Sequence, residues 1–414
     1  MTVQVTQLPS GLRIVSESRR TVETVAIGVW VDVGARFETK TQNGLTHCLE
    51  HMLFKGTTNR SARDIAFEIE SVGGHMNAYT SRDNTTYYAR VLKEDLPLAV
   101  DLLGDLVINS VCDAEELERE KDVILQEIGQ TLDTPDDVVF DHLQGVAFKD
   151  QPIGRTILGD AETVRGFNRD GLMSFLDTHY LASNIVISAV GNLDHNQLVE
   201  IVAEKFEALS IGERGKPQSA HYVGGVKLEK RELEQLHITL GWPGVSFHDD
   251  NYYAHQIYST ILGGGMSSRL FQEVREHRGL AYSVYSFSSS HVETGLFGIY
   301  AGTSPNLIAD MIPVIKDEMA ALVDGPSQQE FQIARAQLKA GLLMALEATT
   351  SRMEQLGRQL LLFERIIPVQ EMIDNVDSVT PENVGFVAAE FAKIDQPSVA
   401  VVGETAIVEK TLNI

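Results

Sequence analysis

The chain has 414 residues, and its 34 Lys and Arg residues against 58 Asp and Glu residues leave a formal net charge of −24. Hydrophobic residues make up 43% of the chain and charged residues 22%, which is typical of a soluble globular protein and excludes disordered and fibrous classes. No stretch approaches the roughly 18 uninterrupted apolar residues of a membrane span, and the acidic balance disfavours nucleic acid and anionic membranes as partners.

The first half of the chain predicts strands and helices that do not strictly alternate. In chain order they are a strand over 25–33, a helix over 46–53, a β-rich passage over 75–91, an amphipathic helix over 96–107, a charged helix over 114–132 and a short buried strand over 185–191.

The second half repeats this order after a polar, irregular stretch. Its predicted elements are a strand over 236–242, a helix over 252–262, a β-rich passage over 281–301, helices over 306–322 and 327–347, and a strand over 399–403. The repeat predicts an α+β protein of two similar domains, each a mostly antiparallel sheet with helices on one face. We expect domains over 1–210 and 233–414, joined by a linker over 211–232.

The sharpest local signal is the pentapeptide His47-Cys48-Leu49-Glu50-His51. Residues four apart share one face of a helix, so the two imidazoles can converge on one metal ion. Glu50 lies on the same side of the helix, where a carboxylate can take a proton from a metal-activated water. This order of residues is the inverted zinc-peptidase motif His-x-x-Glu-His.

A catalytic zinc ion normally has three protein ligands, so a third ligand is expected elsewhere in the chain. The predicted helix over 114–132 carries Glu120 and Glu127 seven residues apart, on one face. Glu127 is flanked by Ile124 and Ile128, and a carboxylate beside such an apolar stripe usually has a partner. For the helix taken by itself, a solvated acidic face remains the alternative.

With these residues in view, the chain resembles the M16 metallopeptidase family, in particular the branch of the mitochondrial processing peptidase and its bacterial relatives. That family carries a third-ligand Glu at the distance from the motif that Glu127 has here, with 75 residues between it and His51, and another important Glu at the position of Glu120. The resemblance implies that His47, His51 and Glu127 bind one zinc ion per chain. It also implies that Glu50 is the general base and that Glu120 orients a ligand or the site.

Two further segments of the first half match substrate-binding positions of the family. Asn77, Ala78 and Tyr79 resemble its active-site edge strand, which pairs with an extended substrate through main-chain hydrogen bonds. Phe54 matches a position that lines the pocket just past the scissile bond. Without the resemblance, the three residues would be an ordinary sheet strand and Phe54 a core aromatic residue.

Asp137 and Asp141 match an acidic pair with which the family recognises Arg two residues before the cut. Taken alone, they indicate a helix start at which acidic side chains favour the helix dipole. The net charge of −24 agrees with basic, extended peptides as substrates. Cys48 departs from the family pattern, which most often has Phe there, and we expect His75 to lie beside the site or at the surface rather than to be a ligand.

Arg275 and Tyr282 in the second half resemble the Arg/Tyr substrate-binding motif of the family. The resemblance implies that Arg275 hydrogen-bonds a substrate carbonyl and that Tyr282 helps to hold the tetrahedral oxyanion. The alternatives are a surface ion pair and a packed ring. His255 stands where a second zinc motif would fall, so one zinc ion per chain is expected.

The resemblance as a whole implies a zinc-dependent endopeptidase that cleaves unfolded peptides or basic presequence-like segments. The alternative is a catalytically silent or partner-dependent subunit, either a scaffold or a heterodimer component. Because both motifs occur in one chain, we expect a homodimer whose composite clefts combine the zinc residues of one copy with Arg275 and Tyr282 of the other. No targeting segment is recognisable, so the bacterial cytoplasm is the expected location, and the mitochondrial matrix if a transit peptide has been removed.

Overall fold

The computed structural model describes residues 2–394 and 396–412. Its strands are β1 (Val3–Gln7), β2 (Arg13–Ser18), β3 (Thr24–Val31), β4 (His75–Thr80), β5 (Thr85–Leu92), β6 (Ile185–Gly191), β7 (Val226–Lys230), β8 (Leu236–Gly244), β9 (Ser283–Ser290), β10 (Gly295–Thr303) and β11 (Ser398–Gly403). Its α-helices are α1 (Leu45–Leu53), α2 (Ala62–Ser71), α3 (Leu96–Asn109), α4 (Ala114–Leu132), α5 (Pro135–Ala147), α6 (Ala161–Gly166), α7 (Arg169–His179), α8 (His195–Lys205), α9 (Tyr252–Gly263), α10 (Ile308–Ala321), α11 (Gln328–Ala345), α12 (Thr349–Phe363), α13 (Val369–Ser378), α14 (Pro381–Ala392) and α15 (Ala406–Leu412).

The strands form two sheets, one in each of two compact units. The first has the order β1-β2-β6-β3-β5-β4 and the second the order β7-β11-β8-β10-β9. Neighbouring strands are antiparallel except β2 with β6 and β7 with β11. The predicted fold class, two α+β units with mostly antiparallel sheets, is therefore confirmed. Within the described residues, no helix combines the length and the apolar character that a membrane crossing requires.

The first unit comprises residues 2–129, 155–218 and 344–366. One face of its sheet packs against α1, α3 and α8 around a core that includes Leu49, Met52 and Leu103. Alternate strand residues point to the opposite face, where Trp30 is buried beneath α12. Gly357 of α12 makes this packing possible, since a Cβ atom there would lie 2.5 Å from Nε1 of Trp30.

The second unit comprises residues 130–154, 219–343 and 367 to the end of the described chain. Its main core lies between one face of the sheet and a set of helices that includes α9, α10 and α14. The opposite face packs against α5, whose Val139 and Leu143 are buried against Leu296 and Val402. Gly241 leaves room for Leu143, because a Cβ atom at this glycine would lie 2.8 Å from a methyl group of that leucine.

Each unit therefore takes one helix from the other half of the chain, α5 in the second unit and α12 in the first. The prediction of helices on one face of each sheet was incomplete, because both faces of both sheets are apolar and both are covered. Within the stretch expected to be a linker, residues 226–230 form β7, an edge strand that pairs with β11.

Candidate metal centre

Helix α1 and helix α4 bring two imidazoles and one carboxylate together in the first unit. His47 and His51 are four residues apart on α1, and their ring centroids are 4.6 Å apart. Oε2 of Glu127, from α4, lies 3.8 Å from Nε2 of His47 and 3.7 Å from Nε2 of His51. The three ligand atoms lie within 4.8 Å of one another, and among the described residues no other group of three or more metal-ligating side chains is found.

The donor set and its spacing fit zinc. Two histidine nitrogens and a carboxylate oxygen are ligands that zinc takes in catalytic sites, at about 2.0–2.2 Å. Tetrahedral donors at that range are separated by roughly 3.4 Å, close to the 3.7 and 3.8 Å observed between Glu127 and the two histidines. Burial, together with the neighbouring His51, lowers the pKa of His47 to about 4, so this imidazole is neutral at pH 7 and keeps a free lone pair.

The start of α1 is fixed by groups that lie before it in the sequence. Gly44 precedes the helix with φ of +92°, and a Cβ atom there would lie 2.5 Å from the carbonyl oxygen of Leu158. The buried carboxylate of Glu38 accepts hydrogen bonds from the backbone N–H groups of Gly44 (2.9 Å) and Thr46 (2.7 Å). Burial raises the pKa of Glu38 to about 7. Glu38 was not predicted as a site residue, although a helix that begins after Gly, with no capping side chain beside it, needs a cap from elsewhere.

Glu120 orients His51 through Nδ1, the ring nitrogen that is not near Glu127. Nδ1 of His51 donates to Oε2 of Glu120 at 3.0 Å, and Nε2 of the same ring faces Glu127. The other oxygen, Oε1, lies 2.6 Å from Nζ of Lys55. Burial alone would raise the pKa of Glu120, but the hydrogen bonds from Lys55 and His51 outweigh it and hold this pKa below its usual value.

Glu50 faces the end of the edge strand. Its Oε2 accepts a hydrogen bond of 2.6 Å from Oγ1 of Thr80, the last residue of β4. Burial raises the pKa of Glu50 above its ordinary value. A carboxyl group whose pKa is raised toward neutrality is suited to both taking up and releasing a proton.

Strand β4 is the outermost strand of the first sheet, and among the described residues it pairs with β5 alone. Exposure alternates along it, so Asn77 and Tyr79 are exposed while Ala78 is partly buried. An edge strand presents unpaired N–H and C=O groups to which another extended chain can add. His75, also on β4, is exposed and is not a member of the metal-ligating group. Phe54, just after α1, packs on the core with its ring centroid 6.3 Å from that of Tyr87.

The remaining predicted residues belong to the second unit. Arg275 lies in a π-helical segment, Phe271–His277, with its guanidinium 4.7 Å from the ring centroid of Phe271 and 5.6 Å from that of Tyr282. Tyr282 is 73% exposed, so it is not the packed ring of the alternative interpretation. Asp137 and Asp141 lie on α5, within the second unit and not in the unit that carries the histidines.

Comparison with known proteins gives matches along most of the chain. Residues 13–161 match the family described as Insulinase (Peptidase family M16), and residues 166–338 match Peptidase M16 inactive domain. An uncharacterized zinc protease of Streptomyces coelicolor is 41% identical over 97% of this chain and 90% of its own length. The uncharacterized zinc protease YmxG of Bacillus subtilis is 38% identical over 92% of this chain and 93% of its own.

Two solved structures have the same fold at low sequence identity. A structure from Pseudomonas fluorescens, described as a peptidase M16 inactive domain, has a TM-score of 0.90 at 22% identity and covers 97% of this chain and 98% of its own. A protease from Helicobacter pylori has a TM-score of 0.89 at 21% identity, covering 97% and 99% of the two chains. Both likenesses concern the fold of the chain.

Proposed function

The chain belongs to peptidase family M16, and from this premise we propose that it is a zinc-dependent endopeptidase in which His47, His51 and Glu127 hold the metal and Glu50 is the general base. The convergence of the three ligand atoms carries the proposal, because it joins two residues of one helix to a third that lies 76 residues after His51. When bound, zinc supplies a Lewis acid that polarises a carbonyl group and makes water a stronger nucleophile.

Side chains of the protein take up and release the proton that the reaction transfers. Glu50 takes a proton from the attacking water on a carboxylate oxygen and returns it to the amine that leaves. The hydrogen bond from Thr80 fixes the orientation of this carboxylate, and burial makes it more basic than an exposed glutamate. Glu120 accepts a hydrogen bond from Nδ1–H of His51, which favours the tautomer whose Nε2 can bind the metal.

An extended peptide is the substrate that the exposed edge of β4 suits best. Such a peptide adds to the edge by main-chain hydrogen bonds, through the backbone of Asn77, Ala78 and Tyr79. Because Thr80 ends this strand and bonds Glu50, the added peptide runs toward the general base. The net charge of −24 favours unfolded, basic segments. Asp137 and Asp141 are the proposed contacts for an Arg side chain two residues before the cut.

The proposed assembly is a homodimer with composite clefts, in which the second copy supplies Arg275 and Tyr282. Tyr282 is exposed, and the guanidinium of Arg275, 5.6 Å from its ring and 3.9 Å from Glu276, is partly exposed, so both side chains are accessible to a ligand. Light scattering should then give twice the chain mass of 45.7 kDa. A species of single-chain mass without activity would favour a subunit that depends on a different partner.

The deciding experiment compares the wild type, Glu50→Gln and the charge-matched surface variant Glu70→Gln. A fluorogenic peptide with Arg two residues before the cleaved bond reports activity, and zinc content is measured on the same samples. We expect the wild type and Glu70→Gln to cleave, 1,10-phenanthroline to abolish cleavage, and Glu50→Gln to keep zinc but lose about 100-fold or more in rate. A wild type that holds zinc yet cleaves no peptide of a library would contradict the proposal and favour a silent subunit.

A further inference from the structure

A lysine that takes no part in the proposed mechanism contacts the carboxylate that hydrogen-bonds His51, a proposed metal ligand. Nζ of Lys55 is 2.6 Å from Oε1 of Glu120, and Oε2 of the same carboxylate is 3.0 Å from Nδ1 of His51. Each oxygen of Glu120 therefore has its own donor. The three side chains form a row that ends at a proposed ligand of the metal.

The local structure explains why a lysine is found here. Lys55 comes just after the last turn of α1, and its backbone N–H still donates to the carbonyl of Met52 at 3.1 Å. The carbonyl end of a helix carries partial negative charge, which favours a cation. The side chain of Glu120 is only 7% exposed, whereas that of Lys55 is 31% exposed. A carboxylate this buried requires partners for both oxygens, and Lys55 supplies one of them from the surface.

We propose that Lys55 is a positioning residue of the metal centre. It holds the carboxylate of Glu120 in the orientation in which Oε2 accepts a hydrogen bond from Nδ1–H of His51, and so keeps Nε2 of His51 turned toward Glu127. Without Lys55, Oε1 loses its partner, and the carboxylate is free to rotate about its side-chain bonds. This inference rests on the proposed function, because zinc is the ion for which the imidazole is oriented.

The direction in which zinc affinity changes when Lys55 is removed distinguishes a positioning role from a simple electrostatic effect. A positive charge close to a cation site repels the cation, so by Coulomb's law alone the removal of Lys55 would strengthen zinc binding. A positioning role predicts the opposite, because a ligand that must be ordered when zinc arrives binds it more weakly. Loss of an outer partner of a ligating histidine typically weakens metal binding by about 10–100-fold, and we expect about 10-fold for Lys55, which acts through Glu120.

The experiment measures the zinc dissociation constant of the full chain by competition with a fluorescent chelator. The variants are Lys55→Met, Lys55→Arg and, as a control, Lys121→Met, which removes the same charge from an ion pair of the same length, 2.6 Å to Glu118. We expect about 10-fold weaker binding for Lys55→Met, near-complete rescue in Lys55→Arg, and no weakening for Lys121→Met. Zinc binding by Lys55→Met that equals or exceeds that of the wild type would overturn the proposal.

A double-mutant cycle tests whether Lys55 acts through Glu120. In a Glu120→Gln background, Lys55→Met should weaken zinc binding no further, whereas an independent structural role would add a second loss. Thermal unfolding of the zinc-free variants checks that each is folded, and Lys55→Gln replaces Lys55→Met if the latter is not. A wild type that binds no zinc would contradict the proposed function, whereas equal affinities of wild type and Lys55→Met would contradict this inference alone.

Discussion

Replacing Glu17 by Gln tests how α12 is held on the first sheet. Glu17 lies on β2 and is buried between two arginines, with Oε1 2.7 Å from Nε of Arg19 and Oε2 2.7 Å from Nε of Arg352. Arg352 belongs to α12, and the side chains of all three residues are at most 8% exposed. In Glu17→Gln the shape is kept, but two buried guanidinium groups lose their counter-charge.

The expected loss is large because the charges are buried. Removing one partner of a buried ion pair costs about 3–5 kcal/mol, and we expect about 3 kcal/mol since Gln keeps one acceptor oxygen. Burial alone would raise the pKa of Glu17, but hydrogen bonds from Arg352 and Arg19 outweigh it and hold this pKa below 4.5. A carboxyl group whose folded-state pKa is lowered stabilises the protein above its unfolded-state pKa and loses that effect as pH falls through the folded value. The difference between wild type and variant should therefore shrink below about pH 4.5.

The two tryptophans of the chain offer a local probe. In a Trp242→Phe background, Trp30 is the remaining tryptophan, and its indole is buried under α12. Urea unfolding followed by its fluorescence is compared in this background with and without Glu17→Gln, at neutral pH and near pH 3.5. The control Glu23→Gln breaks an exposed pair with Lys93 and should change the urea midpoint little, because solvent screens the charges of such a pair. A Glu17→Gln effect as small as that of the control, or one that does not change with pH, would refute the reasoning.

Three other outcomes follow from the packing and the site. Gly357→Ala adds a Cβ atom 2.5 Å from Nε1 of Trp30. The overpacking cost of about 1–3 kcal/mol should exceed the gain of about 1 kcal/mol in helix propensity, so the variant should be less stable. An unchanged urea midpoint would contradict this. Thr80→Val removes the donor to Glu50 and should lower kcat about 10-fold at unchanged KM, as steady-state kinetics will test. Removing zinc with a chelator should lower the free energy of unfolding by about 2.7 kcal/mol relative to protein at a free zinc concentration of 100 times the Kd. A urea unfolding transition that does not change with zinc would argue against binding.

Local periodicity was enough to predict two of the three proposed metal ligands. The four-residue spacing of His47 and His51 puts both rings on one side of any helix, whatever surrounds it, and α1 has this geometry. Glu127 is different, because no local pattern links it to His51, which lies 76 residues earlier. Its assignment depended on the resemblance to a family, and the fold brings its carboxylate within 3.8 Å of both histidines.

The supporting residues of the site could not be predicted from local sequence patterns. Glu120 was assigned from the resemblance to a family, since by itself it resembles, like Lys55, a charged residue on a solvated helix surface. Thr80 resembles any polar residue at a strand end. Glu38 lies in an irregular segment and gives no sign that it is buried. What makes each of them specific is a partner on another element of the fold, at 2.6–3.0 Å.

The strands and helices that the hydrophobic pattern predicted have small errors at their ends, as for α10, predicted over 306–322 and observed as Ile308–Ala321. The hydrophobic pattern did not predict which of the two sheets each helix packs against. An amphipathic helix carries an apolar face, but that face does not specify its partner, since apolar contact is non-directional. The location of α12 on the first sheet was decided by shape and charge together, where Gly357 admits the ring of Trp30 and Arg352 meets Glu17. These are properties of two surfaces in contact, and they exist only once the chain has folded.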